Sequence, residues 1–132
     1  MVPLQCEYYA LEGLSQLLNT AGLIKKSLNP QLHIEGIVLT MFDIRNNLSH
    51  QVVTEIKTHF GDKVFNAVIP RNVRLSEAPS HGQSIFEYDA KSIGALRYLE
   101  LAKEVIARSE AKSTATAAVG IEQPAYEGEL SV

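Results

Sequence analysis

Two short stretches constrain this chain more than any other feature: Ile34–Phe42, IEGIVLTMF, and Lys63–Ile69, KVFNAVI. Each is a nearly unbroken run of apolar and β-branched residues. A strand with one wet face alternates apolar and polar positions, whereas a strand apolar throughout needs cover on both faces, the situation of a parallel sheet wrapped by helices. The first run is short with polar residues at its ends, the second closes at Pro70, and nowhere does the sequence hold the roughly 18 consecutive apolar residues of a membrane span.

The intervening segments have helical spacing. From Ala10 to Leu28, Leu11, Leu14, Leu18 and Ala21 fall on one side with Leu17, Ile24 and Leu28 beside them, and Asn29–Pro30 ends the pattern. Between Leu48 and Phe60, Leu48, Val52, Ile56 and Phe60 recur every fourth residue, and Gly61 stands where a helix stop belongs. A third helix is expected over Ser92–Arg108, with Ser92 or Asp89 as N-cap and Ile93, Leu96, Leu99 and Ile106 turned inward. After Pro70 the sequence reads as a long irregular loop to about Ser84, and SIFEY as a short edge strand. Strand and helix alternate, which predicts an α/β fold with a parallel sheet flanked by helices.

The opening MVPLQ resembles the end of a buried strand with almost nothing before it. A parallel sheet begun this way has an open edge, so the architecture is expected to be partial.

With 45% hydrophobic and 20% charged residues, the 132-residue chain belongs to the globular class and fits one domain. Its net charge of −3 comes from residues 110–132, where Glu110, Glu122, Glu127 and Glu129 face only Lys112. That segment reads as a flexible acidic tail after a domain over 1–109. The balanced remainder neither demands nor excludes nucleic acid, so any such contact must be a local patch. One cysteine, Cys6, excludes an internal disulfide. The start has neither the basic nor the apolar region of a signal peptide, which makes the cytoplasm the expected location.

In order and spacing, VPLQCEYYALEGLSQLL, LNPQLHIEGIVLTMFDIRNNLSHQVV, HFGDKVFNAVIPRNVRLSEAPSHGQSI and YLELAKEVI resemble the carboxyl-terminal half of the ParA/Soj family, the chromosome- and plasmid-partitioning ATPases related to MinD. The resemblance covers Val2 to about Arg108. It implies part of a three-layer P-loop NTPase-like fold without the amino-terminal half that carries the phosphate loop. No G-x-x-x-x-G-K-[ST] motif or lysine-rich variant occurs in the sequence. With no backbone cradle and lysine for a triphosphate, the chain alone is expected to be catalytically inactive. ATP and Mg belong to the intact family.

Loops leaving the carboxyl ends of parallel strands share a rim, where open α/β sheets bind ligands. The resemblance assigns Pro70 and Asn72 of the PRN step to the adenine nucleotide, and Arg45 and Arg74 to non-specific DNA. Proline fixes the chain direction, asparagine offers both a donor and an acceptor, and arginines stay charged and grip phosphate in pairs of hydrogen bonds. From the residues alone a plainer reading stands beside this one. Pro70 ends a strand, Asn72 stabilises a turn, and Arg45 and Arg74 pair with Asp43 and Glu77 as solvated ions. Arg71 is assigned to local structure or the nucleotide surroundings.

The family further implies a homodimer, a ParB/Spo0J-like partner and nucleoid association, with no membrane contact. The alternative is a nucleotide-independent regulatory module that pairs with a full-length ParA-like protein. Under the first reading, a truncated product, a split gene or an alternative start at Met1 is expected to account for a chain that holds the carboxyl-terminal portion of a ParA-like ATPase. Glu77 and His81 are four residues apart, but the intervening Pro79 argues against metal-ligand spacing. His50 and His59 read as solvated or capping, Cys6 and His33 lack nucleophile–base context, and Tyr8 and Tyr9 as braces for the first helix or part of a dimer surface.

Overall fold

The computed structural model of the chain describes residues 1–119. A parallel sheet of three strands, β1 (Val2–Gln5), β2 (Ile37–Phe42) and β3 (Val64–Pro70), runs in the order β1-β2-β3. Helix α1 (Ala10–Ser27) connects the first two and α2 (Asn47–Phe60) the second and third. Two crossovers stepping in the same direction put both helices on one face of the sheet. Ala10 and Leu14 from α1, with Val52 and Ile56 from α2, pack there against Leu4, Ile37, Leu39 and Val64 in one continuous core. Only the first half of α1 is held this way, since Leu17, Leu23, Ile24 and Leu28 are exposed.

The strand boundaries follow the apolar runs, and α2 starts and stops where its pattern does. Asn46 caps it by accepting from the Leu48 N–H at 3.0 Å. Gly61 closes it at φ 48°, a left-handed conformation that costs glycine nothing.

The chain after β3 differs from expectation. The segment read as an irregular loop folds into α3 (Val73–Glu77) and a 3₁₀ turn over Ala78–His81. SIFEY is not a strand but α4 (Ile85–Asp89). A reciprocal capping box, Ser84 with Glu87, satisfies backbone donors that a strand would have presented to a neighbour. Helix α5 (Ile93–Val119), capped by Ser92 Oγ accepting from the Ala95 N–H at 3.2 Å, continues past Arg108 into the span read as a tail. The rest of that span, 120–132, lies outside the described residues.

α5 also faces the other way round. Ile93, Leu96, Leu99 and Ile106, expected inward, are all exposed. The buried side chains are Leu101, with Val105 partly covered, against Val38, Phe65, Ala67 and Ile69, and Ala95, against Ala78 and Ile85. α5 thus forms the second outer layer, opposite α1 and α2. Polar groups fix its position: Glu104 accepts from the Asn66 N–H (2.9 Å) and the Ala67 N–H (3.1 Å) on β3. Arg108 donates to the Asp62 and Val64 carbonyls (2.8 and 2.9 Å) and lies 4.2 Å over the Phe65 ring. An exposed amphipathic surface and these polar anchors outweigh the strongest apolar period.

Candidate functional site

The parallel register brings three connections to one rim. Phe42 and Pro70, the last residues of β2 and β3, are partners in the ladder, and the Arg71 N–H donates to the Phe42 carbonyl at 2.9 Å. The β1–α1 connection joins them through the Cys6 N–H, which donates to the Thr40 carbonyl at 2.9 Å. Buried Ser49 ties it to the β2–α2 loop: its hydroxyl donates to the Cys6 carbonyl and accepts from the Asp43 N–H, both at 3.4 Å. Cys6 itself is buried, and desolvation together with nearby Glu7 pushes its thiol up to about 11, so it stays protonated at neutral pH.

Arg45 sits just before the cap of α2. The Asp43 carboxylate accepts from the Arg45 backbone N–H at 3.0 Å and from its Nε and Nη2 at 3.1 and 3.2 Å. That grip holds the Asp43 carboxyl below its usual range. Even so, the Arg45 side chain is 86% exposed. It borders a cleft of about 590 Å³ together with Pro70, Arg71 and Arg97, over Phe42 and Val68. Arg71 is paired with Glu7, joining the β3–α3 corner to the β1–α1 connection.

Pro70 and Arg71 form the ridge between that cleft and a second one of about 550 Å³. Asn72, Gln5, Thr40 and Met41 line the latter. Among the described residues, Asn72 Oδ1 is the one buried side-chain oxygen or nitrogen without a hydrogen-bond partner. An amide beside a proline wall has the chemistry that pairs with a purine edge, and Asn72 Oδ1, closed to solvent, has to turn outward to meet one. The phosphates find no glycine loop in this sequence.

Arg74 lies a helix turn further on and borders neither cleft. Its Nη1 donates to Glu77 Oε2 at 3.0 Å and its Nε lies 3.4 Å from Asp89 Oδ2, with the side chain 53% exposed. Glu77 also accepts from the Tyr88 hydroxyl at 2.9 Å, and the Tyr88 and Arg74 bonds hold its carboxyl below the usual range. His81 stacks on Tyr88, with centroids 5.0 Å apart, rather than joining Glu77 around an ion. No cluster of three potential metal ligands occurs among the described residues. α3 is seated on α5 at Gly94, where a Cβ would stand 2.6 Å from Leu75 Cγ. A glycine is needed there for close packing, not for backbone freedom.

Structure therefore brings Pro70 and Arg45 to one cleft, puts Asn72 in its neighbour, and sets Arg74 apart on the α3–α4 lobe. Both arginines hold the carboxylate partners that their sequence neighbourhood suggested, and both keep exposed side chains. Arg97 and Met41 went unnoticed in the sequence. Arg97 had no signal, because its place depends on how α5 is turned. Met41 is embedded in a strand-forming run, yet has φ 55°, the only positive φ outside glycine among the described residues.

A parallel sheet covered by helices, with clefts beyond its carboxyl rim, is the arrangement in which open α/β domains bind ligands. The family described as CobQ/CobB/MinD/ParA nucleotide binding domain matches residues 4–85, and the chain belongs to that family. It is 64% identical over 107 residues to the sporulation initiation inhibitor protein Soj of Bacillus subtilis (strain 168), covering 81% of this chain and 42% of that protein. To the chromosome partitioning protein ParA of Caulobacter vibrioides (strain NA1000 / CB15N) it is 60% identical over 107 residues, 81% of this chain and 40% of the relative. To the chromosome partitioning protein ParA of Myxococcus xanthus (strain DK1622) the identity is 57% over 113 residues, 86% and 40% of the two chains. The chain spans about two fifths of the length of these curated relatives. No helix among the described residues is long and apolar enough to cross a membrane.

Proposed function

We propose that this chain is the base-contacting and DNA-facing portion of a ParA/Soj-type partitioning ATPase, corresponding to its carboxyl-terminal part. The observation that carries the reading is the shared rim. The PRN corner is hydrogen-bonded to the end of β2, from which the Arg45 loop leaves, and Asn72, whose buried Oδ1 has no hydrogen-bond partner, borders the adjoining cleft. Pro70 walls the base and Asn72 recognises its edge. Arg45 and Arg74, charged and exposed, exchange their carboxylates for DNA phosphates. ATP, when bound, supplies the hydrolysable phosphoanhydride; the residues that would hold its phosphates and Mg belong to a portion this sequence does not contain. The assembled protein is a dimer on nucleoid DNA, whether chromosomal or plasmid, and is released through a ParB/Spo0J-like partner.

A second reading rests on the outer edge of β1, which no strand covers among the described residues. Through that edge the chain pairs, without nucleotide, with a full-length ParA-like subunit and regulates it.

Both readings meet one experiment. The chain is combined with the phosphate-binding portion of a relative, and DNA binding is followed by anisotropy across a salt series. Arg45→Ala and Arg74→Ala are each expected to weaken binding and to flatten the slope of log K against log salt by roughly 0.9, the worth of one phosphate. An unchanged slope would leave both residues as local ion pairs and favour the second reading.

A further inference from the structure

We propose that Arg71 is a switching element on the rim: its guanidinium exchanges between Glu7 and Asp43, and where it stands sets how readily Arg45 leaves Asp43 for a phosphate. The inference rests on the reading of Arg45 as a DNA contact and adds the group that governs it.

Four side chains of alternating charge form two pairs on the carboxyl rim. Arg71 is paired with Glu7 of the β1–α1 connection, and Arg45 with Asp43 of the β2–α2 loop. In the strand order β1-β2-β3, a pair that joins the β3 corner to the β1 connection spans the end of β2, where Asp43 follows Phe42. Arg71, Asp43 and Arg45 accordingly line one cleft. The two pairs act on each other at that range. Hydrogen bonds from Arg45 are the main reason why the Asp43 carboxyl lies below its usual range, and the positive charge of Arg71 adds to the effect.

The frame is fixed and the guanidinium is not. The Arg71 backbone is held by its N–H on the Phe42 carbonyl at 2.9 Å and by the proline before it. Buried Ser49 ties the two carboxylate-bearing connections together, since its hydroxyl donates to the Cys6 carbonyl and accepts from the Asp43 N–H. By contrast, the Arg71 and Glu7 side chains are 48% and 46% exposed, and a pair so open to water is held weakly. Asp43 accepts three hydrogen bonds, all from Arg45. A carboxylate offers about four lone-pair sites, so Asp43 has room for a second guanidinium, which then competes for the oxygens that hold the first.

The rim therefore has two arrangements. With Arg71 on Glu7, Asp43 belongs to Arg45 alone, and a phosphate must break that grip. With Arg71 on Asp43, Arg45 is released. The coupling is reciprocal: a phosphate that takes Arg45 leaves Asp43 to Arg71 and unfastens Glu7, and with it the connection that carries Tyr8 and Tyr9.

The test follows arginine side-chain signals of the 132-residue chain by NMR. Arg45 Nε–H donates to Asp43 at 3.1 Å, so its hydrogen exchange reports that pair. Glu7→Gln is expected to speed this exchange roughly two- to fivefold, the worth of a partly exposed ion pair, while the backbone amides of β2 exchange as before. Arg71→Gln should slow it, and in the double variant the response to Glu7→Gln should be gone. A short DNA duplex should bind the Glu7→Gln chain more tightly by a similar factor, and that gain too should vanish beside Arg71→Gln. A gain that persists there would reflect only the loss of a negative charge and would overturn the switch. If Arg45 Nε–H ignores Glu7→Gln while Arg45→Ala weakens duplex binding, the switch is overturned and the DNA reading stands. If Nε–H responds as expected but Arg45→Ala binds the duplex like the unaltered chain, the coupling of the two pairs stands and the DNA reading fails.

Discussion

The two faces of the sheet are closed by different chemistry. Beneath α1 and α2 the seal is apolar: Leu14, Ile37, Leu39, Val52 and Ile56 are buried together, and Ser49 is the polar side chain enclosed with them. Beneath α5 the apolar cluster is smaller, and the helix is anchored by a carboxylate and a guanidinium. Glu104 caps two N–H groups of β3, and Arg108 bonds two carbonyls at its start while stacking on Phe65. β3 is an edge strand of the described sheet, and an edge with unpaired donors invites a foreign strand. A carboxylate spanning adjacent backbone donors removes the invitation, which burial of leucines would not. One face therefore draws its strength from volume filled, the other from bonds satisfied, and substitutions should separate the two.

The largest effect is expected on the apolar face. Ile56 is completely buried, and Ile56→Ala should cost about 2–5 kcal/mol through lost transfer free energy and the cavity left behind. Denaturant unfolding reads this as a lower midpoint with an unchanged slope. A loss well under 1 kcal/mol would mean that the α2 face is loosely packed and that the contrast between the two faces is false.

Glu104→Ala should be milder, about 1–3 kcal/mol, since water can reach part of the edge once the carboxylate is gone. Its signature is local. Amide hydrogen exchange at Asn66 and Ala67 should accelerate beyond what the global loss explains, while the amides of β2 follow the global change. Uniform acceleration across the sheet would show that Glu104 acts on the whole core rather than on one edge.

The same division explains what could be read from the sequence. β2, β3 and α2 were legible because burial on the apolar face imposes a period: continuous for the covered strands, every fourth residue for the helix, with Gly61 as its stop. α5 was legible as a helix but not in orientation. Its most regular apolar residues, Ile93, Leu96, Leu99 and Ile106, face outward, while Glu104 and Arg108, which anchor it, look like ordinary surface charges. The short helices α3 and α4 fell below the length at which periodicity speaks. For α4 the Ser84-x-x-Glu87 capping box was nevertheless present in the sequence and outweighs the strand-like alternation of SIFEY. At the candidate site, the PRN step drew attention to Pro70 and Asn72, and the pairing of Arg45 with Asp43 was legible in their spacing. Met41 was not, since a bulge that exchanges the faces of two neighbouring apolar residues leaves composition and period unchanged.

The smallest effect, and the sharpest test of the polar face, is its pH dependence. Burial by itself would raise the Glu104 carboxyl, but the N–H groups of Asn66 and Ala67 and the Arg108 guanidinium together carry it below its usual range. A carboxyl with a lowered folded-state pKa contributes stability that is fully present above its unfolded value, about 4.3, and is lost as pH falls through the folded value. Glu104→Gln keeps an acceptor oxygen for the strand but removes the charge, so near neutral pH it should cost about 1 kcal/mol, less than the alanine variant. On acidification the unaltered chain should lose this advantage while the glutamine variant has none to lose, so the two stability curves converge below pH about 4. Curves that stay parallel into acid would mean that the charge contributes nothing and that α5 is held, like α1 and α2, by its apolar contacts.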